Sequence, residues 1–202
     1  MGCEGIDESF PLTGHRSLYG ATKLCGELLI QEYTHMYGIS AVINRCGVLA
    51  GPWQMGKVDQ GFMALWVAQH YFEGQLKYMG FGGEGLQVRD VLHMMDLFNL
   101  IQYQMQNISQ CNEEIYNVGG GMRNSVSLLE LTDIVTQMTG KKIYIGSDVT
   151  TREADIPFYV SDNTKVKNET QWEPTRNVPK IIEDILHWLK ENEIILKPLF
   201  RS

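Results

Sequence analysis

A tyrosine and a lysine near the start of the chain, Tyr19 and Lys23, have the types and the spacing for acid/base chemistry. On a helix, side chains four residues apart share one face, about one turn from each other. The ammonium would then favour the phenolate, so a phenol that normally keeps its proton up to about pH 10 could exchange it near neutrality. Such a phenol can act as a general acid and base on an alcohol. The same spacing also arises by chance, so the neighbouring segments decide its meaning.

The elements around this pair alternate between helices and strands. Residues 18–37 are rich in helix formers and stop at Gly38, a residue type typical of helix C-termini. Residues 38–45 form a mostly apolar strand pattern, as parallel strands covered on both faces do. Ser127 and Glu130 form a capping-box pattern for a helix that ends at Met138. We also predict helices at residues 60–72, 93–105, 164–168 and 179–192, and strands at residues 77–79, 88–91, 114–118 and 142–146.

Alternating elements of this kind predict an α/β fold. A dinucleotide-binding fold opens with a strand, a glycine-rich turn and a helix, which bring backbone N–H groups to the pyrophosphate. No glycine-rich segment has that placement here, because residues 82–85 lead into a strand and residues 119–121 come late in the chain. We therefore expect the N-terminal dinucleotide-binding half to be absent from this chain.

Several segments, in their order along the chain, resemble the extended short-chain dehydrogenase/reductase family, specifically its NAD-dependent sugar-nucleotide epimerases and dehydratases. These segments are residues 16–23 (RSLYGATK), 39–52, 82–93 (GGEGLQVRDVLH) and 116–120 (YNVGG). Within the family, the chain is similar to the CDP-paratose 2-epimerase (CDP-tyvelose epimerase) branch. That similarity lies in residues 17–21 (SLYGA), 59–61 (DQG), 87–93 (QVRDVLH) and 124–131 (NSVSLLEL).

The resemblance implies an architecture and a cofactor. The fold would be the C-terminal part of a Rossmann-type parallel sheet with helices, plus a smaller α/β substrate-binding domain. Residues 1–75 would belong to the Rossmann-type part and residues 76–202 mainly to the substrate-binding domain, with residues 88–118 returning to the Rossmann sheet. The cofactor would be NAD. Tyr19 would transfer the proton, and Lys23 would bind the nicotinamide ribose and favour the phenolate.

The resemblance also implies residues that bind the phosphates of a nucleotide sugar. Arg89 matches one phosphate-binding arginine, and its planar fork suits two-pronged phosphate recognition. An internal salt bridge of Arg89, for instance with Asp90 or Asp96, is the alternative. Arg152, in the segment READ that ends at Asp155, resembles a second phosphate-binding arginine, and Asp155 is assigned to the substrate with it. A solvated surface charge is the alternative for Arg152.

Two loops remain open to more than one interpretation. Gln60 could hydrogen-bond a sugar or a base, although a helix cap at the adjacent Asp59 explains this segment at least as well. Cys46, Gly47 and Val48 match the loop that passes the nicotinamide in the resembled family. A small Gly47 would allow close approach of the ring, but the geometry of a strand end explains it equally well.

The position of one family residue is not matched in this chain. The resembled enzymes carry a serine or threonine well upstream of the tyrosine, and Ser17 lies too close to Tyr19 to take that role. His93 and Asp96 recur in the family as structural positions, so we expect a core histidine and not a catalyst.

The composition excludes several classes of protein. The chain has 202 residues, 17 basic and 24 acidic, with a net charge of −7 and no basic run, so nucleic-acid binding is not expected. No segment has the length of a membrane span or the pattern of a signal peptide, and a cytoplasmic location is the default. The scattered cysteines and histidines make a metal site or a disulfide framework improbable.

The resemblance leaves three hypotheses about function. The first is epimerisation of a nucleotide sugar, such as a CDP-deoxyhexose at C2, through a transient keto intermediate. The second is a sugar-nucleotide-binding module without redox chemistry of its own, or a partner subunit for a complementing N-terminal segment. The third is dehydration or reduction, which Asp7 and Glu8 do not favour because they precede Tyr19 at loop distance.

Family resemblance also implies a homodimer held by a four-helix bundle. The helices would be residues 24–37 and 63–71, with apolar surface from Leu65, Trp66 and Tyr71. Without an N-terminal half, the sheet would expose a strand edge, and poor stability in isolation is expected.

Overall fold

A computed structural model describes residues 5–14, 16–57, 60–153 and 155–200 of the chain. The helices in these ranges are α1 (Leu18–Tyr37), α2 (Phe62–Phe72), α3 (Met94–Gln106), α4 (Ile108–Cys111), α5 (Leu128–Thr139), α6 (Thr164–Thr170), α7 (Val178–Glu191) and α8 (Glu193–Phe200). The strands are β1 (Ile43–Cys46), β2 (Val48–Ala50), β3 (Leu76–Met79), β4 (Val88–His93), β5 (Ile115–Val118), β6 (Ser125–Ser127), β7 (Ile145–Asp148) and β8 (Phe158–Tyr159). Short 3-10 turns lie at Phe81–Gly83 and Met122–Asn124.

The strand pairing is mostly parallel, which confirms the predicted α/β class. β1 pairs with β5, and β3 pairs with β7, both in parallel. β4 is shared: its last three residues pair in parallel with β2, while its first part pairs antiparallel with β6 and parallel with β8. Among the described strands, only β5 pairs with β1, so the opposite edge of β1 has no strand against it.

The helix that carries Tyr19 and Lys23 has the predicted bounds for local reasons. Ser17 is its N-cap, and its hydroxyl accepts from the N–H of Gly20 at 3.1 Å. Gly38 ends the helix in the left-handed region at φ 65, where a glycine has no steric cost. These two caps confirm the prediction of a helix over residues 18–37.

α1 and α3 cover opposite faces of the β1–β5 sheet. Arg45 in β1 makes two hydrogen bonds from Nε and one from Nη2, at 2.7–3.2 Å, to the carboxylate of Glu27 in α1. The neighbouring Asn44 exchanges amide hydrogen bonds at 2.8 and 2.9 Å with Gln104 in α3. Because successive strand side chains point to opposite faces, these contacts place the two helices on opposite sides, as in a covered parallel sheet.

The main hydrophobic core lies around α2, which packs on α5, α7 and α8. Trp66 is only 4% exposed, and Leu65 and Tyr71 are half-buried against the same core. The chain's own helices therefore cover Trp66, which contradicts its place on a dimer surface, whereas the four-helix-bundle dimer stays a prediction. None of the helices in the described ranges is long and apolar enough to cross a membrane.

Other element predictions hold with shifted boundaries. The capping box is confirmed, since the Ser127 hydroxyl accepts from Glu130 N–H and the Glu130 carboxylate accepts from Ser127 N–H. The strand predicted from residue 38 begins only at Ile43. The helix predicted from His93 begins one residue later, because the imidazole accepts from the N–H of Met95 and acts as its cap. The cap proposed for Asp59 lies outside the described residues, and the domain boundary at residue 75 stays a prediction.

Candidate functional site

A cleft of about 1670 Å³ runs from the start of α1, past the ends of β1 and β3, to the end of α8. Its walls include all but one of the residues that the sequence assigns to the site: Tyr19, Cys46, Gly47, Val48, Gln60, Arg89, Arg152 and Asp155. Lys23 is not in its lining. Residues assigned to a cofactor and residues assigned to a substrate thus share one continuous cleft.

Tyr19 and Lys23 lie together as the four-residue spacing predicts. The ammonium of Lys23 lies 5.2 Å from the centre of the Tyr19 ring, within the range of a cation–π contact. Tyr19 occupies the first turn of α1 and is 65% exposed, so its phenol faces the open cleft. The phenol is therefore accessible from the cleft, with a cation beside its ring.

Arg89 contacts residues other than those considered from the sequence. Nη2 of Arg89 lies 2.7 Å from Oδ1 of Asp155, and the side chains are 19% and 34% exposed. The alternative of an internal salt bridge is confirmed, but the partner is Asp155 and not Asp90 or Asp96. Asp90 instead accepts from the N–H of Gly121 at 3.1 Å.

Asp96 forms a buried anchor and does not belong to the cleft. Its carboxylate is 1% exposed and pairs with Nη1 of Arg176 at 2.5 Å. It also accepts from the N–H and hydroxyl of Thr175 and from the N–H of Arg176, at 2.8–3.1 Å. Together with the Trp172 indole, which donates to the Asp96 carbonyl at 2.9 Å, these bonds fix the loop before α7 against α3. The expected structural role of Asp96 is consistent with these contacts.

Arg152 and Asp155 lie at the two ends of one turn. The N–H of Asp155 donates to the carbonyl of Arg152 at 3.0 Å. Because Asp155 also pairs with Arg89, this turn sets the position of Arg152 relative to Arg89. The two arginines that the sequence assigns to phosphates therefore line the same cleft, and both contact Asp155, Arg89 through the Asp155 carboxylate and Arg152 through the Asp155 backbone N–H.

Gly47 separates β1 from β2 and lies directly against a buried polar cluster. A Cβ on Gly47 would lie 2.9 Å from Oδ1 of Asp90 and 3.1 Å from the hydroxyl of Ser161. Both of these oxygens are buried and have no hydrogen-bond partner among the described residues. The glycine thus serves the strand-end packing, since a Cβ here would meet Asp90 and Ser161, which do not line the cleft.

Cys46 precedes this glycine at the cleft wall. The residue as a whole is exposed, but partial burial of its sulfur raises the pKa of the Cys46 thiol. A thiol with a raised pKa is a poor nucleophile near neutral pH. Cys46 therefore supplies shape to the cleft and not covalent chemistry.

The sequence did not single out two basic residues of the cleft, Lys57 and Lys77. Among the described residues that line the cleft, four are basic (Lys57, Lys77, Arg89 and Arg152) and two are acidic (Asp148 and Asp155). The chain as a whole carries a net charge of −7. This local excess of positive charge favours an anionic ligand. No spacing in the sequence relates the two lysines, because only the fold brings them together.

His93 is a core residue, as expected. It is 3% exposed, and its Nε2 lies 3.3 Å from the Asp184 carboxylate. Burial, and secondarily the charge of Arg176, lowers the pKa of His93 despite the opposing charges of Asp184 and Asp96. The imidazole is outside the cleft, so it has no direct contact with a ligand there.

Asp7 and Glu8 are held in a loop, as the sequence predicts. The Glu8 carboxylate accepts from the N–H of Asn117 at 2.6 Å, on the edge of β5 away from β1. The Asp7 carboxylate accepts from the N–H and hydroxyl of Ser9 at 2.9 and 2.6 Å. Neither carboxylate lines the cleft, so neither can act on a ligand there.

A match to a family model defines the class of protein. Residues 2–119 match the NAD dependent epimerase/dehydratase family. The chain therefore belongs to this family.

Individual relatives agree with this assignment. The chain is 30% identical over 187 residues to CDP-paratose 2-epimerase of Salmonella typhi, covering 91% of this chain and 54% of that protein. It is 28% identical to UDP-glucuronate 4-epimerase of Thermodesulfobacterium geofontis, covering 91% and 53%. The chain thus spans about half the length of the curated relatives it matches.

Solved structures share the fold. A dTDP-glucose 4,6-dehydratase from Streptomyces venezuelae, solved with NAD, matches with a TM-score of 0.77 at 27% identity, covering 95% of this chain and 56% of that one. A UDP-glucose 4-epimerase from Thermus thermophilus, also solved with NAD, has a TM-score of 0.78 at 22% identity, covering 93% and 58%. The fold is the Rossmann-type fold of these NAD-dependent enzymes, represented here by part of its length.

Proposed function

We propose that this chain carries the proton-transfer pair and the substrate-binding side of a NAD-dependent sugar-nucleotide epimerase. The observation that supports this most is that Tyr19, Arg89 and Arg152 line one cleft with an excess of positive charge in a member of the family. A nucleoside diphosphate sugar contains two phosphates and several hydroxyl groups. The basic side chains of the cleft could bind the phosphates, and the Tyr19 phenol could exchange a proton with a hydroxyl.

Each residue would have a distinct part in the reaction. Arg89 and Arg152 would bind the diphosphate, which holds the sugar near the start of α1. The Tyr19 oxygen would take the proton of a sugar hydroxyl as the carbinol is oxidised, and would return it when the keto sugar is reduced on its opposite face. The Lys23 ammonium would stabilise the phenolate between these steps.

NAD fits the wall formed by Cys46, Gly47 and Val48. The backbone at Gly47 lines the cleft, so a flat ring could lie against it, and Lys23 could reach ribose hydroxyls from α1. When bound, NAD accepts and returns the hydride of the sugar. The surface that would hold the rest of the dinucleotide is not identified among the described residues.

The specific substrate we propose is a CDP-deoxyhexose epimerised at C2. The named activity of the Salmonella typhi relative and the segments SLYGA, DQG and QVRDVLH support this choice. Relatives of similar identity include a UDP-glucuronate 4-epimerase and dTDP-glucose 4,6-dehydratases. Dehydration or reduction is therefore the competing reaction, and the placement of Asp7 and Glu8 outside the cleft does not favour it.

A second candidate function is a binding module or a partner subunit. It is favoured because the outer edge of β1 pairs with no described strand. A parallel strand from a complementing dinucleotide-binding segment could pair there, with apolar cover from α1 and α3. A homodimer through α1 and a cytoplasmic location stay predictions of the sequence.

Calorimetric titration of the chain with CDP, UDP and NAD tests these proposals. We expect CDP or UDP to bind, and Arg89→Gln and Arg152→Gln each to weaken that binding about tenfold or more, because each removes a charge-assisted hydrogen bond. Lys190→Gln, which changes an exposed lysine on α7, is the matched control and should bind like the wild type. Failure of both nucleotides to bind would exclude the sugar-nucleotide site.

The same titration separates the two candidate functions. NAD binding by the chain alone would support an enzyme that acts by itself. Nucleotide binding without NAD binding would support the module, and adding a dinucleotide-binding segment from a relative should then restore NAD binding.

A further inference from the structure

The ion pair between Arg89 and Asp155 has no role in the function proposed so far. It joins β4 to the turn that carries Arg152, and both side chains line the cleft. The sequence assigns both residues to the substrate. In the structure, the Arg89 and Asp155 side chains instead pair with each other.

Both hydrogens on Nη2 of Arg89 donate hydrogen bonds within the protein. Nη2 donates to Oδ1 of Asp155 and to the carbonyl of Ile156, each at 2.7 Å. A terminal guanidinium nitrogen carries two hydrogens, so this nitrogen has no further donor. Nη1 donates to the carbonyl of Val88 at 2.8 Å.

This arrangement excludes a two-pronged contact between Arg89 and a phosphate. Such a contact uses two parallel N–H groups, from Nε and Nη2 or from Nη1 and Nη2. Either pair includes a hydrogen of Nη2. One of the two acceptors on Nη2 must therefore leave before a phosphate can bind in this way.

The two acceptors differ in how easily they can leave. The Ile156 carbonyl belongs to backbone that is fixed next to β8, because the N–H of Val88 donates to the adjacent Pro157 carbonyl at 2.9 Å. The Asp155 carboxylate also accepts from the N–H of Ile156 at 2.9 Å, but it stands on a rotatable side chain that is 34% exposed at the cleft. Asp155 is therefore the acceptor that a phosphate can replace.

We propose that Asp155 is an internal competitor for the ligand's phosphate. Its carboxylate occupies Arg89 while the cleft is empty, and it gives way when a nucleoside diphosphate binds. The proposal replaces the assignment of Asp155 as a substrate ligand with a role on Arg89, and it rests on the proposed function for the identity of the ligand. Until ligand arrives, the pair also keeps the guanidinium aligned and its charge balanced.

Asp155→Asn tests the proposal, because it keeps the side-chain shape and removes the competing charge. Since a partly exposed ion pair contributes little, we expect CDP to bind roughly two- to fivefold more tightly to this variant. Cytidine, which has no phosphate, should bind as it does to the wild type. Asp148→Asn is the matched control, because Asp148 lines the same cleft and, like Asp155, accepts from a backbone N–H, that of Thr150 at 3.0 Å, whereas Arg89 pairs with Asp155.

A double variant separates a specific competitor from a general charge effect. In an Arg89→Gln background, Asp155→Asn should give no gain in CDP affinity beyond that of Asp148→Asn. A gain that persists without Arg89 would overturn the proposal. Weaker binding of both CDP and cytidine to Asp155→Asn would also overturn the proposal. That result is expected if Asp155 contacts the nucleoside directly.

A ligand-free measurement keeps this test independent of the proposed function. Phenylglyoxal modifies free guanidinium groups, and peptide mass mapping gives the rate at Arg89 alone. We expect this rate to rise several-fold in Asp155→Asn and to stay unchanged in Asp148→Asn. Equal modification rates in all three proteins would overturn the proposal that Asp155 competes for Arg89. If the rate rises in Asp155→Asn but CDP does not bind, the proposed nucleotide-binding function would be wrong, and the Arg89–Asp155 pair would still stand.

Discussion

At Gly47 the backbone passes close to a buried carboxylate, and this contact decides which interpretation of the glycine has support. The sequence left two explanations open, a close approach by a nicotinamide ring and the geometry of a strand end. The packing of Asp90 and Ser161 against the Cα shows that the strand end alone requires a glycine. A role toward the cofactor stays a prediction.

Replacing Gly47 by alanine should destabilise the fold. The new Cβ would lie 2.9 Å from a buried carboxylate oxygen, closer than ordinary contacts, so the neighbours must move. We expect a loss of about 1–3 kcal/mol in the free energy of unfolding, measured by urea denaturation. Gly26→Ala is the matched control, because nothing lies within 4 Å of its added Cβ in α1. That variant should gain about 0.5–1 kcal/mol, and a similar loss in both would contradict the contact argument.

The buried His93 gives stability a defined pH dependence. Its pKa is lowered in the fold, chiefly by burial, so the unfolded chain binds more protons below about pH 6.5. Stability is therefore complete above that value and falls as the pH drops through it. His93→Asn should flatten this slope between roughly pH 6.5 and 5, because asparagine can cap α3 without titrating.

Comparison with an exposed histidine isolates the effect of His93. His187 is exposed on α7, and His187→Asn is the control for replacing a histidine that is not buried. Urea denaturation across this pH range gives the slopes. An unchanged slope in His93→Asn would show that His70, whose pKa burial also lowers, accounts for the dependence.

At the scale of elements, local signals predicted the long helices well. Ser17, Gly38 and the Ser127–Glu130 capping box are cap signals that act within a few residues, so the sequence contained them in full. Short strands were less well placed, because their bounds depend on partners far along the chain. The strand predicted over residues 38–45 begins only at Ile43, and a second strand follows Gly47 because β1 pairs with β5 whereas β2 pairs with β4.

The same difference explains which parts of the site could be predicted. Tyr19 and Lys23 share a helix face, so their spacing was sufficient. Arg89 and Asp155 lie 66 residues apart in sequence, and their pairing depends on β8 lying beside β4. Long-range juxtapositions of this kind are invisible without the fold or a relative.

The capping box of α5 should make a measurable contribution to stability. Ser127→Ala removes the side chain that accepts from the N–H of Glu130, and we expect a loss of about 1 kcal/mol in urea denaturation. Hydrogen bonds from the backbone and hydroxyl of Ser127 lower the pKa of Glu130 below 4.5. The stabilisation should thus be present above that pH and be lost as the pH falls through the lowered value.

A nearby serine serves as the control for this cap. The Ser125 hydroxyl donates to the carbonyl of Met122 at 2.9 Å and does not cap a helix. Ser125→Ala should therefore show a smaller loss with no change below pH 4.5. Equal losses for the two variants would mean that the cap does not determine the stability of α5.

For the molecule as a whole, burial is unevenly distributed. The helices α2, α5, α7 and α8 share one extensive core, whereas α1 contributes a single buried residue, Thr34, along its 20 residues. The β1–β5 sheet next to α1 has an edge without a described strand. We infer that the surface around α1 and β1 is the least protected against association, in a chain that spans half the length of its relatives.

Self-association through α1 is the consequence we expect. Leu29, Tyr33 and Met36 are 55–65% exposed and fall on one side of the helix at spacings of four and three residues. This is the pattern of an interhelical seam, so a second copy could bury the same stripe. Sedimentation velocity over a range of micromolar concentrations should show a concentration-dependent faster component in the wild type.

The double variant Leu29→Glu, Met36→Glu should reduce that component, because it places charges in the seam. Ile194→Glu, at a 91% exposed position of α8, is the control and should leave it unchanged. A wild type that sediments as a monomer at every concentration would rule out the α1 interface, and equal effects of both variants would point to general hydrophobic association.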